Sequence, residues 1–386
     1  MRILHTSDWH LGKRLYKLER LAEQSIFLDE LLGLVKTQKV DHLLVAGDVF
    51  DVPQPPHKAL KLFYDFISRL LRETNCELWV IGGNHDSGHL LDAPQGLIDS
   101  KRVHLFGTLR SDPSEHWVRL PMAQGYISLC LLPYFRQHDL SPWKSGADLA
   151  EILKNFFQQD DQGVGRMLMA HHLFGISEAA GSEQALALSG LESIPLEWLE
   201  GFDYVALGHI HKPQTLKKHK PLVRYCGSPL PMRFSETAPK GVELIEWTEQ
   251  GMTHTTLPLP VIRPLHAVSV SPEDWQKTLS ALPKAQLPAA LEITLKLQAP
   301  VPGLIESIRN WGEEQGLEIL SVIPHFAQEE TGPATGHWTQ LLQLTPEKLF
   351  EAFYLSKFPK EEEVPRELTQ DMKELWEEAR HAPPAT

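Results

Sequence analysis

The sequence predicts an α/β protein built on a largely parallel sheet, with a smaller α+β unit following it. Two observations carry that expectation. Apolar strand-like runs alternate with amphipathic helical runs as far as about Pro258, and five of those runs end in side chains able to hold a metal ion. In an α/β sheet the loops beyond the carboxyl ends of the strands converge, and ligands bind there.

Composition sets the outer limits. With 386 residues, 42% of them hydrophobic, the chain can bury sizeable cores in two or three domains. A net charge of -13 and a pI near 5.8 exclude a protein that grips nucleic acid through a general basic surface. Cys76, Cys130 and Cys226 are widely spaced and odd in number, which indicates neither a disulfide framework nor a zinc ribbon and fits a reducing cytoplasm. No apolar run reaches the roughly 18 residues of a membrane span. The first strand begins at Arg2-Ile3-Leu4, leaving no room for a cleaved leader.

Taken in order, 3–7 reads as a strand and 25–35 as a helix with Phe27, Leu31, Leu34 and Val35 on one face. The run 42–46 is a buried strand that ends at Gly47-Asp48. After Pro55-Pro56 a helix continues to about Leu71, with Ala59, Phe63, Phe66, Ile67 and Leu70 on one stripe and Leu60, Tyr64 and Leu71 on a second. Such a two-sided helix is either fully buried or part of a dimer interface. Strands follow at 77–81, 126–132, 165–170 and 202–207, then a hairpin of 242–247 and 252–257 around Gln250-Gly251.

The chemistry lies at the strand ends. Asp8 and His10, two residues apart, would lie on the same side of an extended backbone, with Trp9 turned into the core. The same spacing recurs at His209 and His211. With Asp48, Asn84 and His171 they form a mixed oxygen and imidazole set suited to manganese, iron or zinc. Asp48 has two carboxylate oxygens and could bridge two ions about 4 Å apart, the separation used for displacement at phosphorus. Gly47, Gly83 and Gly208 beside these ligands allow close approach of the backbone. His171 is followed by His172, and neighbours in a strand face opposite ways, so one of the two can reach the ions; His171, directly after the apolar run, is the preferred ligand.

The motif order Asp-x-His, Gly47-Asp48-Val49-Phe50-Asp51, Gly83-Asn84-His85-Asp86, His171, Gly208-His209-Ile210-His211 resembles the calcineurin-type metallophosphoesterases. Longer stretches narrow the resemblance to their double-strand-break repair nucleases: His5-Thr6-Ser7-Asp8-Trp9-His10-Leu11-Gly12, Ala206-Leu207-Gly208-His209-Ile210-His211-Lys212-Pro213 and Tyr225-Cys226-Gly227-Ser228-Pro229-Leu230. The last stretch also reads simply as a turn under the site. The resemblance implies a β-sandwich flanked by helices over 1–260, a small α+β DNA-capping domain over 261–340 and C-terminal partner-binding helices over 341–386. It implies two divalent ions, manganese by family habit. One would be held by Asp8, His10, Asp48 and His211, the other by Asp48, Asn84, His171 and His209. His85 would protonate the leaving group or stabilise the transition state, and Asp51 would be the carboxylate that orients it. A histidine suits that work because its pKa lies near neutrality.

The same resemblance implies the catalytic subunit of an ATP-dependent DNA nuclease complex. Its expected activities are 3′–5′ exonuclease action on double-stranded ends and endonuclease action on single strands and hairpins. They would serve DNA repair, recombination and the replication of palindromes. A homodimer through 57–71 and 90–98 is expected. Lys13, Arg14 and Lys17 could contact DNA backbone or form a solvated face.

From Pro258 the texture changes: strands at 265–270, 291–297 and 317–323 alternate with helices at 273–282 and 303–315, with no ligand cluster. Thr345-Pro346 starts a helix that puts Leu349, Phe350 and Phe353 on one face, and a second helix carries Leu368, Met372, Leu375 and Trp376. These stripes either pack back on the preceding domain or, as the family implies, dock on the coiled coil of an ATPase partner. A small-molecule phosphodiesterase is the alternative function, but it gives the cap and the striped tail no purpose. A non-catalytic scaffold predicts gaps in the ligand set, and there are none.

Overall fold

A computed structural model describes residues 1–326 other than 100, 144–148, 159–162, 176–192 and 284–285, and beyond them residues 350, 354, 364–365, 368–370 and 372. The chain divides into two compact units, 1–325 and 326–386. In the first, β1 (Arg2–Thr6) leads through a small hairpin of β2 (Arg14–Leu15) and β3 (Leu18–Glu19) into α1 (Leu21–Thr37) and β4 (His42–Ala46). Then come α2 (His57–Glu73), β5 (Glu77–Ile81), α3 (Gly88–Asp92) and β6 (Val103–Phe106). A second series comprises β7 (Trp117–Met122), β8 (Gly125–Leu132), α4 (Leu149–Phe157), β9 (Gly165–Ala170), β10 (Tyr204–Leu207), β11 (Gln214–Lys217) and β12 (Leu222–Tyr225). Finally, β13 (Gly241–Thr248) and β14 (Gly251–Pro258) return to the first series.

These strands form two six-stranded sheets, ordered β14-β13-β1-β4-β5-β6 and β11-β12-β10-β9-β8-β7. Each has a parallel centre and antiparallel pairing at its edge: β1, β4, β5 and β6 run parallel while β13 opposes β1, and β8, β9, β10 and β12 run parallel while β7 opposes β8. Period-two alternation explains the stacking. Ile3, Leu44, Ala46, Trp79 and Ile81 of the first sheet share a core with Leu129, Leu131, Met167, Met169 and Ala206 of the second. Their neighbours Leu4, Leu43, Val45, Leu78 and Val80 face the other way, towards Phe27, Leu31, Phe63 and Phe66 of α1 and α2. Both faces are covered, as parallel sheets require. The strands β6, β7, β11 and β12 were not legible in the sequence, because short runs with half-exposed positions carry little periodic signal.

His116 shows how a polar side chain survives in this interior. Its Nδ1 lies 2.6 Å from the Leu131 carbonyl and its Nε2 2.9 Å from the Arg110 N–H, so Nδ1 donates, Nε2 accepts and the ring is fixed neutral. Burial pulls its pKa down to about 4. A base whose folded pKa lies below its unfolded value of 6.5 gives stability that is complete above that value and is lost as pH falls towards 4. Between pH 7 and pH 5 the wild type is expected to lose about 2 kcal/mol more than His116→Gln in urea unfolding. Equal losses would refute the locked neutral ring.

Beyond β14 lies a separate three-stranded sheet, ordered β15 (Leu265–Val270), β16 (Ala290–Leu297), β17 (Glu318–Phe326), with α5 (Trp275–Ser280) and α6 (Leu304–Glu314). Trp275, Leu279, Leu291, Ile293, Leu295 and Ile308 form its own core, while Leu259 and Ile262 before β15 still pack with the first core. In the second unit, Phe350 and Tyr354 lie one helical turn apart with ring centroids 6.3 Å from each other. Leu368 is exposed and Met372 half-buried. Leu349, Phe353, Leu375 and Trp376 lie outside the described residues.

Candidate metal centre

Strand register brings the motifs together. Thr6 pairs with Val45, Ala46 with Ile81, and Leu207 with both Ala170 and Tyr225, so the carboxyl ends of each sheet finish level. Beyond them the loops are stitched to one another: Asp8 N–H donates to the Gly47 carbonyl at 3.0 Å, His10 N–H to Asp48 at 3.0 Å, and Leu11 N–H to Val49 at 2.8 Å. The extended geometry expected at Asp8 and His10 is not what aligns them. β1 stops at Thr6, and both residues are left-handed, with φ of 53° and 46°. Asp48 and His209 are also left-handed, at 51° and 95°. Such backbone is costly for non-glycine residues and clusters where function over-determines it. Trp9, between the two ligands, turns inward onto Phe27, Phe63 and Phe66.

Two glycines are dictated by this crowding. At Gly47, φ is 84° and a Cβ would stand 2.2 Å from His171 Nδ1; at Gly83 it would stand 2.2 Å from Asp48 Oδ1.

The expected ligands converge on one buried pocket of donors. His10 Nε2 and His211 Nε2 face each other at 3.0 Å, and ligand atoms of Asp8, His10 and His211 all lie within 4.8 Å of one another. His171 Nε2 lies 3.1 Å from Asn84 Oδ1 and His209 Nδ1 2.8 Å from the same oxygen. Asp48 Oδ2 stands between the two groups, 3.6 Å from His10 Nε2 and 3.3 Å from His171 Nε2, while its Oδ1 accepts the His85 N–H at 2.8 Å. Facing imidazole nitrogens with a shared carboxylate are the chemistry of a divalent-cation site. The residues therefore fit two ions, with Asp48 placed to bridge them.

Two of the imidazoles, His10 and His209, are held ready for an ion, whereas His171 must shed a proton to bind one. Burial would raise the Asp48 pKa, but His171 and His10 outweigh it and hold the carboxyl far below its usual range. The Asp48 charge in turn overcomes burial at His171 and lifts its pKa to about 9. Burial depresses His10, and burial with His171 brings His209 down to about 3, so both keep a lone pair to offer.

His171, not His172, faces the site. The His172 ring turns away, stacked against Tyr134 at 5.1 Å, and its Nε2 accepts the Phe135 N–H at 3.3 Å. His85 lies with its ring edge-on to His10 at 4.8 Å. Asp51 hydrogen-bonds His85 through its main-chain oxygen, 2.8 Å from His85 Nδ1, while a carboxylate oxygen of Asp51 stands near the ring, within 4.8 Å of a His85 nitrogen. Its carboxylate lies 3.3 Å from His10 Nδ1 and accepts from Lys13 Nζ at 2.8 Å, and these partners bring its pKa to about 2 against the effect of burial. The difference arises because the loop after β4 curls back over His10, which the spacing of Asp48 and Asp51 does not reveal. Lys13 is thus engaged at the site, whereas Arg14 and Lys17 are exposed on the β2–β3 hairpin.

Several supporting residues were missed from sequence. Asp86 accepts three main-chain N–H groups, from Val49, Phe50 and Gly83, and so pins the two ligand loops together; burial and the charge of Asp48 raise its pKa to about 6. Its place in Gly83-Asn84-His85-Asp86 was the available signal. Gln24 of α1 bridges the Gly12 N–H and the His10 carbonyl at 2.9 and 2.7 Å. Glu236 places Oε1 3.5 Å from His211 Nδ1 and Oε2 2.7 Å from Lys240 Nζ, which also donates to the His211 carbonyl at 3.1 Å. A carboxylate behind a ligating histidine fixes its orientation. Glu236 lies in irregular chain, where no periodicity could single it out. Tyr225 OH donates to the His172 carbonyl at 2.8 Å and accepts the Phe174 N–H at 2.9 Å, so that motif braces the loop after His171.

Residues 1–213 match the family model described as calcineurin-like phosphoesterase, and residues 261–358 match the model described as type 5 capsule protein repressor C-terminal domain. The chain is 31% identical to the SbcD subunit of nuclease SbcCD from Rhodobacter capsulatus, covering 92% of this chain and 94% of that protein. It is 29% identical to the SbcD subunit from Escherichia coli K12, covering 91% and 92%. It is 34% identical to the protein of the same name from Bacillus subtilis, covering 64% and 66%.

Proposed function

The chain belongs to the calcineurin-like phosphoesterases and, within them, to the SbcD family of nuclease subunits; from that premise we propose that it is the catalytic subunit of an SbcCD-type complex, hydrolysing DNA phosphodiesters. The observation that carries the reading is the position of Asp48 Oδ2 between the His10–His211 and His171–Asn84–His209 groups.

Asp8, His10, Asp48 and His211 would hold one divalent ion, and Asp48, Asn84, His171 and His209 the other, manganese being our proposal for both. When bound, the ions activate water and neutralise charge on the phosphate. The protein supplies the rest. Buried loops fix the ligands and restrict water, and the loaded site attracts phosphate despite the chain's net charge of -13. His85 Nδ1–H donates to the Asp51 carbonyl, which aims Nε2 so that the doubly protonated ring can give its Nε2 proton to the departing oxygen and become neutral. No covalent enzyme intermediate is required.

The finer activities belong to the same proposal: 3′–5′ exonuclease action on double-stranded ends and cutting of hairpins and single strands, in repair, recombination and palindrome replication. The C-terminal stripe of Leu349, Phe350, Phe353, Leu368, Met372, Leu375 and Trp376 would dock on the coiled coil of an SbcC-type ATPase. A homodimer would form through α2, where Leu60, Tyr64 and Leu71 are only partly buried, and through the region of Leu97, which is 92% exposed. Arg14 and Lys17, exposed beyond the first ligands, would contact DNA backbone together with Lys13.

The test is cleavage of a labelled hairpin DNA beside bis-p-nitrophenyl phosphate, with manganese and with chelator. His85→Gln is expected to lower kcat about 100- to 1,000-fold with metal content unchanged. Turnover of the small diester with every form of DNA left whole, even beside the ATPase partner and ATP, would favour a small-molecule phosphodiesterase.

A further inference from the structure

Beside Asn84 a cavity of about 470 Å³ opens between the loop after β5 and the loop after β8, lined among others by Asn84, Ser87, His89, Thr108, Tyr134 and Arg136. It falls within the roughly 300–1,000 Å³ of small-ligand sites. We infer that this cavity is a nucleoside subsite, in which the base next to the scissile phosphate stacks on Tyr134 while Arg136 faces the adjoining phosphate. The inference rests on the nuclease reading above and adds what the metal centre cannot do, which is to recognise the base rather than the diester.

Three features of the loop support it. Tyr134 N–H donates to the Gly82 carbonyl at 2.8 Å, which fixes the tyrosine against the strand end that leads to Asn84. The half-buried Tyr134 ring is backed by the buried His172 ring, nearly parallel at 20°. His172 is itself anchored through Nε2 by the Phe135 N–H. The residue beside the expected ligand His171 is thus used as a pedestal, so the tyrosine platform and the metal site are positioned by the same loop. Such a platform is pre-organised, and a base with a π-face on each side gains from it without being hydrogen-bonded. Arg136 is exposed at the rim, and its guanidinium supplies a cation suited to a phosphate in a chain that is acidic overall.

The opposite wall is shaped for close approach. Gly88 and Gly107 stand back to back, so that a Cβ on Gly107 would lie 2.0 Å from the Gly88 carbonyl oxygen. Thr108 Oγ1 and the Gly107 N–H are both tied to Asp92, at 2.7 and 2.8 Å. The two loops on this side are therefore locked together, and the wall they form is rigid.

The test uses the full chain with manganese, a short labelled oligonucleotide, the same oligonucleotide with an abasic nucleotide beside the scissile bond, and bis-p-nitrophenyl phosphate. Tyr134→Leu is expected to lower kcat/KM on the intact oligonucleotide about tenfold, within the range of a lost base stack. It should leave the small diester unchanged, and Tyr134→Phe should match wild type on both. The abasic substrate should cost the wild type the same factor and cost Tyr134→Leu nothing further. Undiminished DNA cleavage by Tyr134→Leu, a parallel loss on the small diester, or an abasic penalty that adds to the substitution would each overturn the subsite. Failure of the nuclease reading itself shows separately, as a wild type that turns over the small diester but cuts no DNA, and that result sinks the subsite with it.

Discussion

Asp48→Asn is expected to lower manganese-dependent hydrolysis of both DNA and bis-p-nitrophenyl phosphate by about 10³- to 10⁵-fold, or ~4–7 kcal/mol of transition-state stabilisation. The size follows from where the carboxylate sits. One oxygen lies between His10 and His171, and the other accepts the His85 N–H, so a single charge serves both ligand groups and the loop that carries the proposed acid. An amide keeps an acceptor for His85, so the loop should stay in place. It cannot supply the charge, and its NH2 would face the two imidazoles. Calorimetric titration with manganese should show the two-ion stoichiometry reduced. The metal-free variant offers a second readout: without the carboxylate, His171 loses the interaction that lifts its pKa to about 9, so by NMR it should titrate lower. A variant that retained wild-type kcat, or a His171 that still titrated near 9, would refute the bridging position.

The convergence of the candidate ligands was legible in the sequence because each of them follows a buried strand by one to four residues, and strand register carries that local order directly into space. Gly47 and Gly83 were readable for the same reason, since only close approach explains a glycine beside each ligand. What the local pattern could not give is the relation between loops. Asp51 was expected to meet His85 through its carboxylate, yet it accepts from that ring through its carbonyl and pairs its carboxylate with His10 and Lys13. Glu236 and Lys240 reach His211 from 25 and 29 positions on, out of the irregular chain that follows β12. The choice of His171 over His172 followed from its place directly after the apolar run, but the use of His172 as a support for Tyr134 is a tertiary contact with no sequence signal. Local periodicity carries elements and their ends; the partners of a side chain across loops are set by packing.

The first turn of α1 has the largest expected effect on stability. Glu23 is only 1% exposed and lies between two arginines. Arg20 Nε donates to its Oε2 at 2.9 Å and Arg263 Nε to its Oε1 at 2.7 Å; the guanidinium groups also donate to the carbonyls of Pro231 and Pro288 at 2.7 and 2.6 Å. Arg263 belongs to the segment that leaves β14 for β15, so this carboxylate fastens the small three-stranded domain to the sandwich. The next residue, Gln24, holds the His10 loop. One helical turn thus ties the small domain on one side and the ligand loop on the other. Glu23→Ala removes the only carboxylate in hydrogen bond with either arginine among the described residues, leaving two buried charges to main-chain oxygens alone. Breaking a buried pair in this way costs about 3–5 kcal/mol. The cost is the uncompensated charge rather than the worth of the pair, so Arg20→Met, Glu23→Leu and Arg263→Met combined should recover most of it. Urea unfolding should show the single substitution shifted well below wild type and the triple close to it, with proteolysis between β14 and β15 enhanced only in the single. If Glu23→Ala unfolded at the wild-type midpoint, or the triple were no better than the single, the two arginines would have another counter-charge and this turn would not be what holds the small domain in place.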